Sequence, residues 1–132
     1  MTFVELRTDI VILACAVSAG IHAALIPDHF QEGAGAGVGF VVAAVLLALL
    51  AVILTWRPSQ AALVATMLVF AGLIVSYALV LTTGVPVLHP DVEAVDGLAV
   101  FTKAVEVAGA AVAADLIRWP SFIGPQPKGT LT

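Results

Sequence analysis

The stretch VGFVVAAVLLALLAVILTWRPS, Val38 to Ser59, holds no charged side chain before Arg57. A helix needs roughly 20 mostly apolar residues to cross about 30 Å of hydrocarbon, and this run has that length. It follows the glycine cluster Gly33, Gly35, Gly37 and Gly39 and is ended by Arg57, Pro58 and Ser59, which predicts a span over 34–56. Working outward, three further runs have the same character. The first covers about 9–26 and is expected to stop at Pro27, because the residue before a proline is pushed out of the helical region. Another covers 60–81 and gives way at Thr82, Thr83, Gly84 and Pro86, and the last covers 97–117, before Arg118, Trp119 and Pro120. The connections are short, so neighbouring helices should be antiparallel. The expected fold is all-α: a single integral membrane domain over 1–132, built as an up-and-down bundle of four transmembrane helices.

Composition agrees. Of 132 residues, 61% are hydrophobic and 11% charged, and the mean hydropathy is +1.13. A soluble domain carries about twice that charge fraction. A net charge of −4, a single cysteine and five dispersed lysines and arginines exclude nucleic-acid binding and a disulfide scaffold, and the apolar excess excludes disorder. The first run is not a cleaved signal peptide, since Glu5 and Asp9 flank it against one Arg7.

Arg7, Arg57, Arg118 and Lys128 fall on one side of a four-span plan, and Asp28, Glu32, Asp91, Glu93 and Asp96 on the other. Basic residues near helix ends favour the cytoplasm, so both termini are expected there. Trp56 and Trp119 stand where indoles anchor helices at the headgroups. The turn Pro27, Asp28, Glu32, Gly33 is echoed by Pro90, Asp91, Asp96, Gly97, and Trp56 to Ser59 by Arg118 to Ser121. These echoes fit a tandem two-hairpin repeat over about 1–59 and 60–121, although any four-span chain must alternate apolar runs with polar turns.

Glu106 is the least expected residue, lying about nine positions inside the fourth apolar run. An ionisable group at that depth costs on the order of 2.5–3.5 kcal/mol, so it must face protein or a wet cavity. Lys103, three residues earlier on the same helical face, offers a structural explanation as its ion-pair partner. The three histidines, His22, His29 and His89, are all placed in the outer half. With Glu32, Glu93 and Glu106 they form a candidate site for a divalent transition metal, copper or zinc foremost, if the first and fourth helices are neighbours. No HExxH, CxxC or EF-hand spacing fixes the ligands, and each histidine also has an ordinary reading as a packed or solvated side chain. Haem is disfavoured, because no two histidines sit at matched depth on facing helices. Ser18 and His22 are four apart, yet no GxSxG turn accompanies them, so hydrolysis is not indicated. Small pairs such as Ala16 and Gly20, Ala104 and Ala108, and Gly109 and Ala113 allow close helix approach.

His22, the segment Pro27, Asp28, His29, Phe30 and Glu32, then Arg57 to Ser59, Thr83 to Pro86, and Glu106 together resemble a loose group of small four-helix membrane proteins of actinobacteria and related bacteria, whose function is unknown. The resemblance spans about 18–106 and implies a bacterial inner-membrane location. His89 and Lys103 fall outside that pattern. The sequence as a whole leads to a small membrane protein whose outward-facing histidine and carboxylate cluster binds a divalent metal, for sensing, delivery or gated passage of metal or protons. The alternative is a non-catalytic subunit packed against a larger membrane complex or a further copy of itself. An enzymatic role is less expected, as no nucleophile stands out.

Overall fold

A computed structural model describes residues 2–85 and 94–118, which form four helices: α1 (Phe3–Glu32), α2 (Ala34–Trp56), α3 (Gln60–Thr82) and α4 (Gly97–Arg118). Each is long and apolar enough to cross a membrane, so the chain has the make-up of a multi-pass membrane protein. His89, Asp91 and Glu93 lie outside the described residues, as do Lys128 and the repeat's turn residues Pro90, Trp119, Pro120 and Ser121.

Local chemistry sets the helix ends. Thr2 and Glu5 form a reciprocal capping box at the start of α1: the Thr2 hydroxyl accepts from the Glu5 amide at 3.2 Å, and the Glu5 carboxylate accepts from the Thr2 amide at 2.5 Å. Ser59 accepts from the Ala62 amide at 3.2 Å at the start of α3, and Asp96 accepts from the Ala99 amide at 2.8 Å at the start of α4. Beyond α3, Gly84 takes φ 69°, a left-handed conformation in which a side chain would be strained.

The end of α1 departs from the sequence expectation. The helix does not stop before Pro27 but carries it and runs to Glu32. Proline removes one amide donor, a loss that membrane helices tolerate when side chains supply other hydrogen bonds. The carbonyl that loses its donor is that of Ala23, four residues before Pro27; His29 Nδ1 lies 2.9 Å from a different carbonyl, that of Leu25, and is a separate bond. At 30 residues α1 is about 45 Å long, well beyond the hydrocarbon thickness, so its last turns with His29 and Glu32 reach toward the headgroups.

The packing inverts that of a soluble protein. Large apolar side chains such as Leu13, Val42, Leu49, Leu68, Val75 and Phe101 point outward, while Ser18, Thr66, Thr102 and Glu106 are buried with alanines. Lipid tails are as apolar as leucine, so no hydrophobic force drives the helices together and small or hydrogen-bonding residues gather at the contacts. α1 packs most extensively on α2 and also on α4, α4 on α3, and α2 meets α3 least. Two apolar clusters fill the half nearer the N-terminus of α1. One gathers Val11, Leu54, Leu63, Ala113 and Leu116, and the other, deeper, gathers Ala14, Cys15, Leu47, Leu50 and Phe70. An Arg7–Asp115 ion pair ties the start of α1 to the end of α4. Both partners are partly exposed, at 32% and 41%, so it orients the helices more than it stabilises them.

A buried polar network under an intramembrane cavity

Beyond the second apolar cluster the interior turns polar. Ser18 and His22 stand one turn apart on α1, and Lys103 and Glu106 one turn apart on α4, so each pair presents both members to the same neighbour. Glu106 is fully buried. One carboxylate oxygen accepts from the Ser18 hydroxyl at 2.8 Å and the other from the Lys103 ammonium at 2.5 Å. Lys103 Nζ also lies 3.5 Å from the Leu73 carbonyl of α3 and 5.5 Å from the centre of the Tyr77 ring. His22 Nδ1 is 2.8 Å from the Ser18 carbonyl and 3.3 Å from the Ser18 hydroxyl. The carbonyl can only accept, so Nδ1 carries the proton and the lone pair sits on Nε2. His29 repeats the arrangement with the Leu25 carbonyl, which leaves its lone pair on Nε2 as well.

The result is a hydrogen-bonded chain, Lys103 to Glu106 to Ser18 to His22, held by α1 and α4 and touching α3. Above it, toward Gly33, a cavity of about 270 Å³ opens among all four helices. His22, Thr102 and Lys103 line its deep end, Phe40 and Tyr77 its flanks, and His29 and Asp96 its mouth. The Phe40 ring stacks on His29 with centroids 3.5 Å apart and tilts against His22 at 5.1 Å. On the opposite side of the network, Ala14, Cys15, Leu47 and Phe70 form packed apolar core.

Of the six candidate ligands, the network joins His22 to Glu106 through Ser18, and His29 lines the same cavity. Glu32 is half exposed at the end of α1, with a carboxylate oxygen 3.9 Å from His29 Nε2. His89 and Glu93 are outside the described residues. Among the described residues, no three of histidine, cysteine, aspartate and glutamate converge as a metal would require. The physical reason lies at Glu106, whose two oxygens are already engaged by Ser18 and Lys103. Lys103 therefore acts as Glu106's ion-pair partner, the simpler of the two readings of that spacing. Sequence reasoning missed Ser18 as the bridge between helices and Phe40 as the surface on which both imidazoles rest. Ser18 did carry a signal, as a hydroxyl one turn before a histidine inside an apolar run.

The class is thus a multi-pass helical membrane protein with a buried, hydrogen-bonded ionic network at the base of an intramembrane cavity. No family model, curated protein or solved structure matches the chain.

Proposed function

We propose that the protein is a proton-linked binding protein of the bacterial inner membrane. In this reading the four helices run up and down with both termini cytoplasmic, and the cavity faces outward. The Lys103, Glu106, Ser18 and His22 chain takes up or releases a proton as the cavity fills and empties. The observation that carries the reading is the fully buried Glu106 carboxylate, bonded on one side to an ammonium and on the other, through a serine hydroxyl, to an imidazole. Ionisable groups inside a membrane are costly to bury and typically mark ion or proton paths. The packed core beneath the network favours binding from one side over open passage.

Infrared difference spectra of the protein in lipid nanodiscs, recorded across about pH 4 to 8 where carboxylates and imidazoles titrate, test this directly. A carboxylic-acid C=O band that varies with pH, disappears in Glu106→Gln and moves in Ser18→Ala is the expected result. A spectrum without any pH-dependent band removed by Glu106→Gln would end the proton-linked reading.

A second reading, a divalent copper or zinc site, has one observation in its favour. His22 and His29 both tie Nδ1 to a backbone carbonyl, the arrangement by which metal-binding histidines are usually oriented with Nε2 toward the ion. Protonation competes with a metal for the Nε2 lone pair, so affinity should fall as the solution is acidified. Zinc titration of the purified protein should then show saturable binding, weakened at least 10- to 100-fold in His22→Ala with His29→Ala. Equal binding by that double variant would place the ligands elsewhere.

A further inference from the structure

The cavity's own chemistry narrows what it takes. Its walls are mostly small or apolar, with Gly39 and Ala43 from α2, Leu73 from α3 and Ala99 from α4; Ser76 and Tyr77 add hydroxyls on the α3 side, and the charged and imidazole groups collect at its two ends. Thr102, Lys103 and His22 stand at the deep end, and His29 and Asp96 at the mouth. A hydrated inorganic ion gains nothing from such walls. A flat apolar body gains from them and from the Phe40 and Tyr77 rings on its flanks, since aromatic rings favour stacked or edge-on contact.

Spacing of the polar ends adds a second constraint. His22 and His29 are seven residues apart on α1, about 10 Å at 1.5 Å per residue. That is the separation of the two backbone positions along the helix, so the cavity has two polar ends about two turns apart, and a ring with a hydroxyl at each end presents one to each. The direction of entry gives a third. α2 and α3 are the neighbours that meet least, and on their side Ser76 both lines the cavity and is exposed. Ser76 lies six residues before the end of α3, about 9 Å along the helix, a depth within the hydrocarbon layer. The cavity therefore communicates with the bilayer as well as with its mouth.

From these three observations we infer that the cavity binds a membrane-dissolved planar ring compound of the para-hydroquinone class, entering between α2 and α3. One hydroxyl meets the Lys103, Thr102 and His22 end, where the ammonium donates and His22 Nε2 accepts, and the other donates at the His29 end, where the Nε2 lone pair and the Asp96 carboxylate accept. The inference concerns binding and includes no electron transfer. It rests on the proton-linked reading only for its pH dependence, because a hydroquinone hydroxyl at the deep end joins the hydrogen-bonded chain that ends in Glu106.

The test uses the intact protein in nanodiscs and a radiolabelled 2-methyl-1,4-naphthohydroquinone carrying one isoprenyl unit, kept reduced with dithionite under argon, with protein-free nanodiscs as the partition control. Saturable binding above the control is expected, weakened about tenfold or more, or roughly 1.4 kcal/mol, by Ala99→Leu, which fills the cavity from α4 without touching the ionic network. The Thr102 hydroxyl donates to the Leu98 carbonyl at 2.8 Å and offers the cavity an acceptor, so Thr102→Val, which removes that acceptor at nearly constant volume, should weaken binding less while the protein elutes as the wild type does. Probe uptake equal to that of empty nanodiscs would overturn the inference, as would uptake unchanged by a folded Ala99→Leu. Binding that passes these tests but lacks pH dependence would sustain the ring-compound site and refute its proton linkage. A pH-dependent infrared band without probe binding would refute the ring-compound site alone.

Discussion

Lys103→Met should destabilise the protein by about 3–5 kcal/mol, the usual cost of leaving one member of a buried ion pair without its partner. Glu106 is fully buried, and its remaining contact would be the Ser18 hydroxyl at 2.8 Å, which cannot offset a full charge. Glu106→Gln should cost less. Lys103 is 18% exposed at the cavity, so its ammonium retains some access to water, and the glutamine amide keeps the shape and an acceptor for Ser18. Combining Lys103→Met with Glu106→Gln should bring stability back to within about 1 kcal/mol of the wild type, since a buried pair often fails to repay its desolvation. Thermal unfolding of the four proteins in one detergent closes the cycle, and the interaction energy it yields isolates the pair. A stable Lys103→Met, with no rescue in the double variant, would show that the ion pair does not hold α4 in place.

How much of this was legible in the sequence depends on the range of the interaction. The spans were readable because the bilayer imposes a length and a polarity that apolar runs meet or fail individually, and because Pro58, Ser59 and Gly84 act on their own neighbours. Pro27 misled for a reason within the same logic. The rule that a helix stops before proline weighs the local backbone alone, whereas α1, packed along α2 and α4, carries Pro27 and continues to Glu32. Glu106 stood out, since a carboxylate in an apolar run demands a partner, and Lys103 was the local choice. Ser18 did not stand out as Glu106's other partner, because that bond depends on how α1 is rotated against α4, which no spacing within either helix reveals. The same holds for Phe40, which meets His22 and His29 only once α2 has folded back along α1. His22 and His29 line one cavity, whereas Glu106 lies beneath it with its oxygens engaged by Ser18 and Lys103, a separation set by how α1 meets α4.

Gly109→Leu should prevent normal folding, and Gly109→Ala should cost about 1–2 kcal/mol, within the range for overpacking a filled interior. Gly109 is buried on α4 where three helices meet. A Cβ there would lie 2.7 Å from the Phe70 ring of α3 and 2.8 Å from Ala14 Cβ of α1, both closer than carbon atoms approach. Alanine recovers about 1 kcal/mol of helix propensity over glycine, which is why its net cost stays modest while leucine's does not. The contact with Ala14 can be relieved only by moving α1 away from α4, since a methyl group on a helix backbone has no rotamer to yield. Glu106 is three residues from Gly109 on α4 and Ser18 four from Ala14 on α1, so that movement stretches the 2.8 Å hydrogen bond joining the two helices. Gly109→Ala should therefore lower the unfolding temperature in detergent and also shift the carboxyl band assigned to Glu106. Adding Phe70→Leu relieves the ring contact but leaves the Ala14 contact, so it should recover part of the stability without restoring the band. Recovery of both would mean that α3, and not the α1–α4 approach, sets the geometry of the network.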